Sequence, residues 1–162
     1  MKRLHKFLRL SGVEQRLLLK AALMLGTIRL GLWLLSFQTL RRLLAKVSSI
    51  SASRHDPEQP SKENVVWAVE TAGRYLAPAA TCLTLALTAQ VLLLRRGYPA
   101  LLHIGAVKSD GGQFLAHAWV ESGGKVVIGG YELERYTPLA ALEGESVKYF
   151  DAETIRPQAR LR

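Results

Sequence analysis

The chain has 162 residues, of which 49% are hydrophobic, and this length and composition predict one domain with an accessory segment rather than a disordered chain. The single cysteine excludes an intramolecular disulfide, and no paired Cys and His spacing suits a structural zinc site, so we expect no metal and no cofactor. Residues 1–54 hold 11 of the 22 Lys and Arg residues against one acid, Glu14. This asymmetry predicts an anionic partner for the first third of the chain, and three kinds stay open at this point: lipid head groups, an acidic protein surface and nucleic acid.

Residues 12–47 are rich in Leu and Ala, lack proline and predict one or two helices. The window 21–40 has the length of a membrane span, but Arg29 near its middle weakens that assignment, as do two glycines, Gly26 and Gly31. Three arrangements stay open: a helical pair packed on the following domain, a basic helical hairpin on a membrane surface, and a spanning helix. The N-terminus lacks the pattern of a signal peptide, so we predict a cytoplasmic protein, with membrane association through the basic helices as the alternative.

Ser, Pro and charged residues at 48–61 predict a linker. We therefore divide the chain into a basic, Leu-rich helical segment over 1–54 and a second domain over 55–162. In the second domain, Ser61 is the predicted N-cap of a helix that ends at Pro78. The apolar stripe of this helix consists of Val65, Val66, Ala68, Val69, Ala72 and Tyr75.

The next predicted helix carries the only cysteine of the chain. Thr81 is its predicted N-cap and Gly97 its predicted end, so Cys82 falls in the first turn. The positive end of a helix dipole stabilises a thiolate, and the free backbone N–H groups there can receive an oxyanion. The alternative is a small buried hydrophobe. The residues before Cys82, Ala-Pro-Ala-Ala-Thr, are too small to cover the sulfur, which favours a nucleophile.

Beyond Pro99 the pattern changes to strands at 101–107, 114–121 and 125–129, joined by the turn sequences SDGGQ and SGG. We therefore predict an α+β fold, in which an antiparallel three-stranded meander packs on the cysteine helix. Alternation along the middle strand places four side chains on one face: Leu115, His117, Trp119 and Glu121.

His117 is the candidate general base, because small alanines flank it and leave room for a substrate. His103 on the first strand competes for this role, whereas His5 and His55 lie in segments for which we predict little order. We expect Trp119 to shield the site or fill the core rather than bind a cofactor.

Three motifs carry a family resemblance: ATCL at the head of the helix, RRGYPALLHIGAV after it, and AHAWVESGGKVVIGG. In this order they resemble the B protein of lasso peptide biosynthesis, in its stand-alone leader-peptidase form. The resemblance implies a papain/transglutaminase-like domain and a cysteine peptidase that removes the leader from a ribosomally made precursor peptide. Cys82 matches the family nucleophile and His117 its general base. The implied partners are the precursor peptide, a separate leader-recognition protein and an ATP-dependent macrolactam synthetase.

The chain departs from this family at the third catalytic position, an aspartate on the strand after the histidine. The predicted hairpin instead places Gly129 or Gly130 opposite His117. Glu132 is the nearest acid downstream and is our preferred third member. Two other acids are alternatives: Glu121 and Asp110. A fourth possibility is a dyad in which a backbone carbonyl or water sets the histidine tautomer.

The missing aspartate also motivates a competing hypothesis, a catalytically inactive membrane-surface or scaffold protein of a peptide-maturation complex. Nucleic acid binding is not expected, because the basic residues alternate with Leu rather than with aromatic side chains that stack on bases. The segment YELERYTPL is otherwise predicted to be a solvated charged face.

Overall fold

The computed structural model describes residues 10–49, 60–76, 81–109, 111–143 and 146–149. Within these ranges four helices precede an antiparallel sheet, which confirms the predicted α+β class. The helices are α1 (Gly12–Leu34), α2 (Phe37–Ser49), α3 (Lys62–Leu76) and α4 (Cys82–Leu94). The strands are β1 (Leu101–Lys108), β2 (Phe114–Ser122), β3 (Lys125–Ile128), β4 (Thr137–Glu143) and β5 (Ser146–Tyr149), with a 3-10 turn at Leu133–Arg135 between β3 and β4.

Helix α1 begins at a capping box. The Ser11 backbone N–H donates to Glu14 Oε2 at 2.8 Å, and the Glu14 N–H donates to Ser11 Oγ at 3.3 Å, so the two residues satisfy donors that the helix leaves free. One face of α1 is buried at helical spacing against α3 and α4, through Leu17, Ala21, Leu25 and Ile28. The N-terminal helices are therefore packed on the helices that follow them.

Gly31 allows α1 and α2 to approach each other closely. A Cβ at this position would come within 2.7 Å of Leu40 Cδ1, and Leu40 is buried.

Within the described ranges, α1 is the one helix that is long and apolar enough to cross a membrane, judged by length and composition. Most of the predicted linker, the domain boundary after residue 54, the helix stop at Pro78, and both His5 and His55 lie outside the described residues.

Helices α3 and α4 begin where the sequence predicted. The Asn64 N–H donates to Ser61 Oγ at 3.2 Å, and the Thr84 N–H donates to Thr81 Oγ1 at 3.3 Å, so both predicted N-caps are confirmed. Helix α4 lies at the centre of the fold, in contact with the other three helices and with β2. Its Gln90 side-chain amide donates two hydrogen bonds to backbone carbonyls of the sheet region. One goes to Ala100 O, just before β1, at 3.2 Å, and the other to Leu142 O, near the end of β4, at 2.6 Å.

The sheet has the strand order β3-β2-β1-β4-β5, and all four pairings are antiparallel. The predicted three-stranded meander is confirmed as β1, β2 and β3, with bounds within one residue of those expected. Gly123 and Gly124 both have positive φ, 62° and 75°, which the tight turn between β2 and β3 requires.

The sequence did not predict β4 and β5. The segment TPLAALE is rich in residues that favour a helix, yet it forms a strand because it pairs with β1 along most of its length. Pro138 lies opposite Gly105, where the register between β1 and β4 shifts. An irregularity of this kind accommodates a proline within a sheet. The expected charged face therefore ends at the 3-10 turn, and β4 begins at Thr137.

The two faces of the sheet have different neighbours. The face toward the helices contributes to the main hydrophobic core through Leu102, Ala118, Val120, Ile128, Ala140 and Leu142. The opposite face, which we call the outer face, carries His103, Gly105, His117, Trp119, Glu121 and Ala141. Trp119 and Ala141 are buried without being part of the main core, so the outer face has a small buried set of its own.

Candidate active site

Cys82 is the first residue of α4. Its side chain is half-buried against the main core, and the thiol is free. The Thr84 N–H donates to Thr81 Oγ1 at 3.3 Å, and the Leu85 N–H donates to the Thr81 carbonyl oxygen at 3.1 Å. The N–H groups of Cys82 and Leu83 precede these, at positions where a helix supplies no carbonyl. A negative charge that develops beside the sulfur can therefore be stabilised by two amides and by the helix dipole.

His117 makes one side-chain hydrogen bond that defines its chemistry. Its Nε2 lies 2.8 Å from the carbonyl oxygen of Gly129. A carbonyl oxygen only accepts, so Nε2 must be the donor, and in the neutral ring Nδ1 is then left as the unprotonated nitrogen. The ring also packs against Tyr136 at a centroid separation of 4.9 Å and against Trp119 at 6.2 Å. These contacts fix both the tautomer and the plane of the imidazole.

Gly129 reaches this position because it has no side chain. Its φ is +74°, and a Cβ would come within 2.7 Å of the Ala118 carbonyl oxygen and 3.1 Å of Trp119 Cβ. The chain leaving β3 therefore lies directly against β2. A glycine at this position can offer only a backbone group to His117, and its carbonyl oxygen is the partner found in the structure.

Two of the three acidic candidates for the third position, Glu132 and Glu121, have other partners. Glu132 is exposed, has a left-handed backbone with φ 49°, and binds Arg135 Nη1 through Oε2 at 2.6 Å. Glu121 Oε2 lies 3.3 Å from His103 Nε2. Asp110 lies outside the described residues. The geometry gives Glu132 no contact with His117, and its catalytic role stays a prediction.

Most of the chain matches a known protein family. Residues 22–141 match the family model described as the transglutaminase-like superfamily, which is more than half of the chain. The chain belongs to this superfamily. No match was found among the curated proteins or among the solved structures. The matched region begins inside α1, so the transglutaminase-like domain includes most of that helix and all of α2, α3 and α4.

In this transglutaminase-like domain the two central candidates are not in hydrogen-bond contact. Cys82 packs against the core between the helices and the sheet, whereas His117 lies on the outer face beside Trp119. The hydrogen bonds of the described residues include none between Cys82 Sγ and the imidazole. A reaction that uses both side chains therefore requires them to approach each other.

The outer face also holds a second histidine, His103. His103 is buried, and its ring stacks on Trp119 at a centroid separation of 5.3 Å with an interplanar angle of 6°. Burial lowers the pKa of His103 from its ordinary value of 6.5, and the Glu121 carboxylate partly opposes this change. Trp119 thus lies between the two histidines, and its indole ring fits over Gly105, where a Cβ would approach Cζ3 to 2.9 Å.

One neighbour of His117, Tyr136, was missed by sequence reasoning. Tyr136 packs on the ring from the segment before β4, and nothing in the local sequence indicates that this segment returns to β2. The Gly129 carbonyl was foreseen only as one of several options, because every residue carries such a group.

Among the described residues, no group of three or more His, Cys, Asp or Glu side chains could hold a metal ion.

Proposed function

We propose that this protein is a cysteine peptidase that removes the leader from a ribosomally synthesised lasso peptide precursor. Cys82 is the nucleophile and His117 the general base. The membership in the transglutaminase-like superfamily supports a cysteine-based acyl transfer. The observation that carries the proposal is the bond from His117 Nε2 to the Gly129 carbonyl, since it leaves Nδ1 ready to take a proton.

The first half of the reaction forms a thioester. The Cys82 thiol gives its proton to His117 Nδ1, and the sulfur attacks the carbonyl carbon at the junction between leader and core. The oxyanion is received by the first backbone N–H groups of α4. The imidazolium then returns the proton to the departing nitrogen, so the core peptide leaves with a free amino group and the leader stays on the sulfur.

The second half releases the leader. A water molecule attacks the thioester carbonyl while His117 Nδ1 accepts its proton, and the sulfur departs and is reprotonated. The products are a leader with a free carboxylate, a core peptide with a new amino terminus, and the original thiol. The core peptide is the substrate that an ATP-dependent macrolactam synthetase would require, and a separate leader-recognition protein presents the precursor.

This mechanism requires Cys82 and His117 to meet when a peptide binds. A reagent with two alkylating carbons, such as 1,3-dibromoacetone, tests this directly, because Cys82 is the only cysteine and a bridge to His117 can be located by mass spectrometry. We expect the bridge to form in the complex with precursor and recognition protein. A reagent that attaches to Cys82 and never reaches His117 under these conditions would contradict the mechanism.

The activity itself is tested by substitution. We expect Cys82→Ala and His117→Asn each to abolish leader release from precursor and recognition protein, as followed by mass spectrometry. His103→Asn is the matched control, because His103 lies on the same face and contacts the same tryptophan. This control should retain at least about a tenth of the activity. If Cys82→Ala released the leader at the wild-type rate, the proposal would be wrong.

A second candidate is a catalytically inactive scaffold of a peptide-maturation complex. The absence of a hydrogen bond between Cys82 and His117 in the described residues favours it. It predicts that Cys82→Ala supports maturation as well as the wild type when the complete set of maturation proteins is present. The peptidase proposal predicts that the same reaction stops at the uncleaved precursor.

A further inference from the structure

One side of α1 is apolar and exposed to solvent. It carries Leu19 (57% exposed), Leu23 (65%), Leu30 (55%), Trp33 (82%) and Leu34 (62%). With about 3.6 residues per turn, these side chains fall on a single face, opposite the four residues of α1 that are buried in the core. We call this set the outward stripe. An exposed apolar set along one face of a helix favours an interaction surface.

The exposed charged side chains of α1 and α2 are all positive. Arg16, Lys20 and Arg29 are exposed on α1, and Arg42 and Lys46 are exposed on α2. The only acid in these two helices is Glu14, whose carboxylate accepts hydrogen bonds from Ser11. The outward stripe therefore lies on a pair of helices whose exposed charges are all positive.

We propose that the outward stripe docks this protein on an anionic membrane surface, with α1 lying along the surface. The leucines and Trp33 enter the region between head groups and acyl chains, while the exposed cations of α1 and α2 meet the anionic head groups. A tryptophan at the end of the stripe suits this boundary, since its ring is apolar and its N–H can still find a partner. This inference is independent of the proposed peptidase activity.

The same observations argue against two other arrangements. A second copy of the chain docked on this face would bring two basic surfaces together, and like charges across an interface oppose association. A spanning α1 would place Arg29 in the hydrocarbon and would withdraw Leu17 and Ile28 from the core that they share with α3 and α4. Docking along the surface keeps the buried face of α1 in place.

Sedimentation with lipid vesicles tests the proposal on the full chain. We expect binding to vesicles of phosphatidylcholine with phosphatidylglycerol, weaker binding at high salt, and little binding to phosphatidylcholine alone. The double variant Leu23→Gln/Leu30→Gln should weaken binding at least about tenfold. Leu139→Gln is the matched control, because Leu139 is 49% exposed on the sheet, away from α1, and this variant should bind like the wild type.

Fluorescence gives a second measurement that does not depend on the double variant. In a Trp67→Phe background the exposed tryptophan of the described residues is Trp33, since Trp119 is buried. We expect lipids brominated near the head group to quench Trp33. Equal binding by wild type and double variant, or no quenching in anionic vesicles, would overturn the proposal. A lipid-free dimer that the double variant abolishes would also overturn it, in favour of a second copy as occupant.

Discussion

The Nε2 atom of His117 lies 2.8 Å from the carbonyl oxygen of Gly129, so a main-chain atom fixes the imidazole of this transglutaminase-like domain. The proposed lasso-type peptidase function would lead one to expect an aspartate on the corresponding strand instead. A side-chain carboxylate would add a negative charge next to the ring, whereas a carbonyl supplies only a dipole. Both leave Nδ1 as the basic nitrogen.

Gly129→Ala should disturb this contact. The new Cβ meets the Ala118 carbonyl at 2.7 Å in a left-handed backbone, and we expect leader release to fall about 100-fold because the imidazole is displaced. Gly124→Ala is the control, since Gly124 has a similar φ of +75° with open space around it. Both variants should lose about 1–2 kcal/mol of unfolding free energy to the backbone conformation. Equal activity in the two variants would show that the close approach of Gly129 is unimportant.

Glu132→Gln should have little effect. The Glu132 carboxylate is exposed and pairs with Arg135, and exposed ion pairs contribute about 0–1 kcal/mol. We expect kcat/KM for leader release to stay within about threefold of the wild type, as it should for Arg135→Gln. A large loss of kcat in Glu132→Gln alone would instead restore Glu132 as the third catalytic residue.

The stability of the domain should decrease in acid because of His103. Burial lowers the pKa of His103 in the folded state, so the unfolded state binds more protons as the pH falls below about 6.5. The part of the unfolding free energy that depends on neutral His103 is therefore fully present above about pH 6.5. It is lost as the pH falls from there toward the lower pKa of the folded state. Glu121→Gln removes the carboxylate that raises the pKa of His103 in the folded state. On acidification this variant should therefore lose more unfolding free energy than the wild type.

Urea unfolding at about pH 7.5 and pH 5 measures these differences. His103→Asn is the reference, because it removes the titrating group and should flatten the dependence. If Glu121→Gln lost less stability on acidification than the wild type, the assignment of the pH dependence to His103 and Glu121 would be wrong.

Gly73→Ala should weaken the packing of α3 on α4. A Cβ at Gly73 would overlap Leu85 Cδ2, so the Leu85 side chain, which packs against the core, must shift. Overpacking of this kind costs about 1–3 kcal/mol, which outweighs the gain of about 0.5–1 kcal/mol that alanine gives in a helix. Gly26→Ala is the contrasting variant. Gly26 is an exposed helical residue with open space around it, so alanine there should add about 0.5–1 kcal/mol through the helix backbone. Thermal or urea unfolding of the two variants should shift in opposite directions.

Local signals in the sequence were sufficient for much of the fold. Ser61 and Thr81 cap the helices that they were expected to cap, and Gly123 and Gly124 form the predicted turn. These features depend on a few neighbouring residues. The meander followed from alternating apolar residues, and its bounds were therefore predicted closely.

The remainder depended on contacts between distant parts of the chain. Strand β4 forms beside β1 although its composition favours a helix, because pairing partners more than 30 residues away decide its conformation. The position of Cys82 at the start of α4 was predicted from local caps, but its distance from His117 depends on how the helix and the sheet face each other. The alternation rule grouped His117 with Trp119 and could not say which face the helices cover.

A hydrogen-bond acceptor that belongs to the main chain is also resistant to mutation. Any coded residue at position 129 retains the carbonyl oxygen, so a point substitution can displace this partner of His117 but cannot delete it. Loss of an aspartate side chain, by contrast, takes a single nucleotide change. Selection on this site would then act on the shape of the hairpin from Phe114 to Ile128 and the residues that follow, rather than on the identity of one acidic residue.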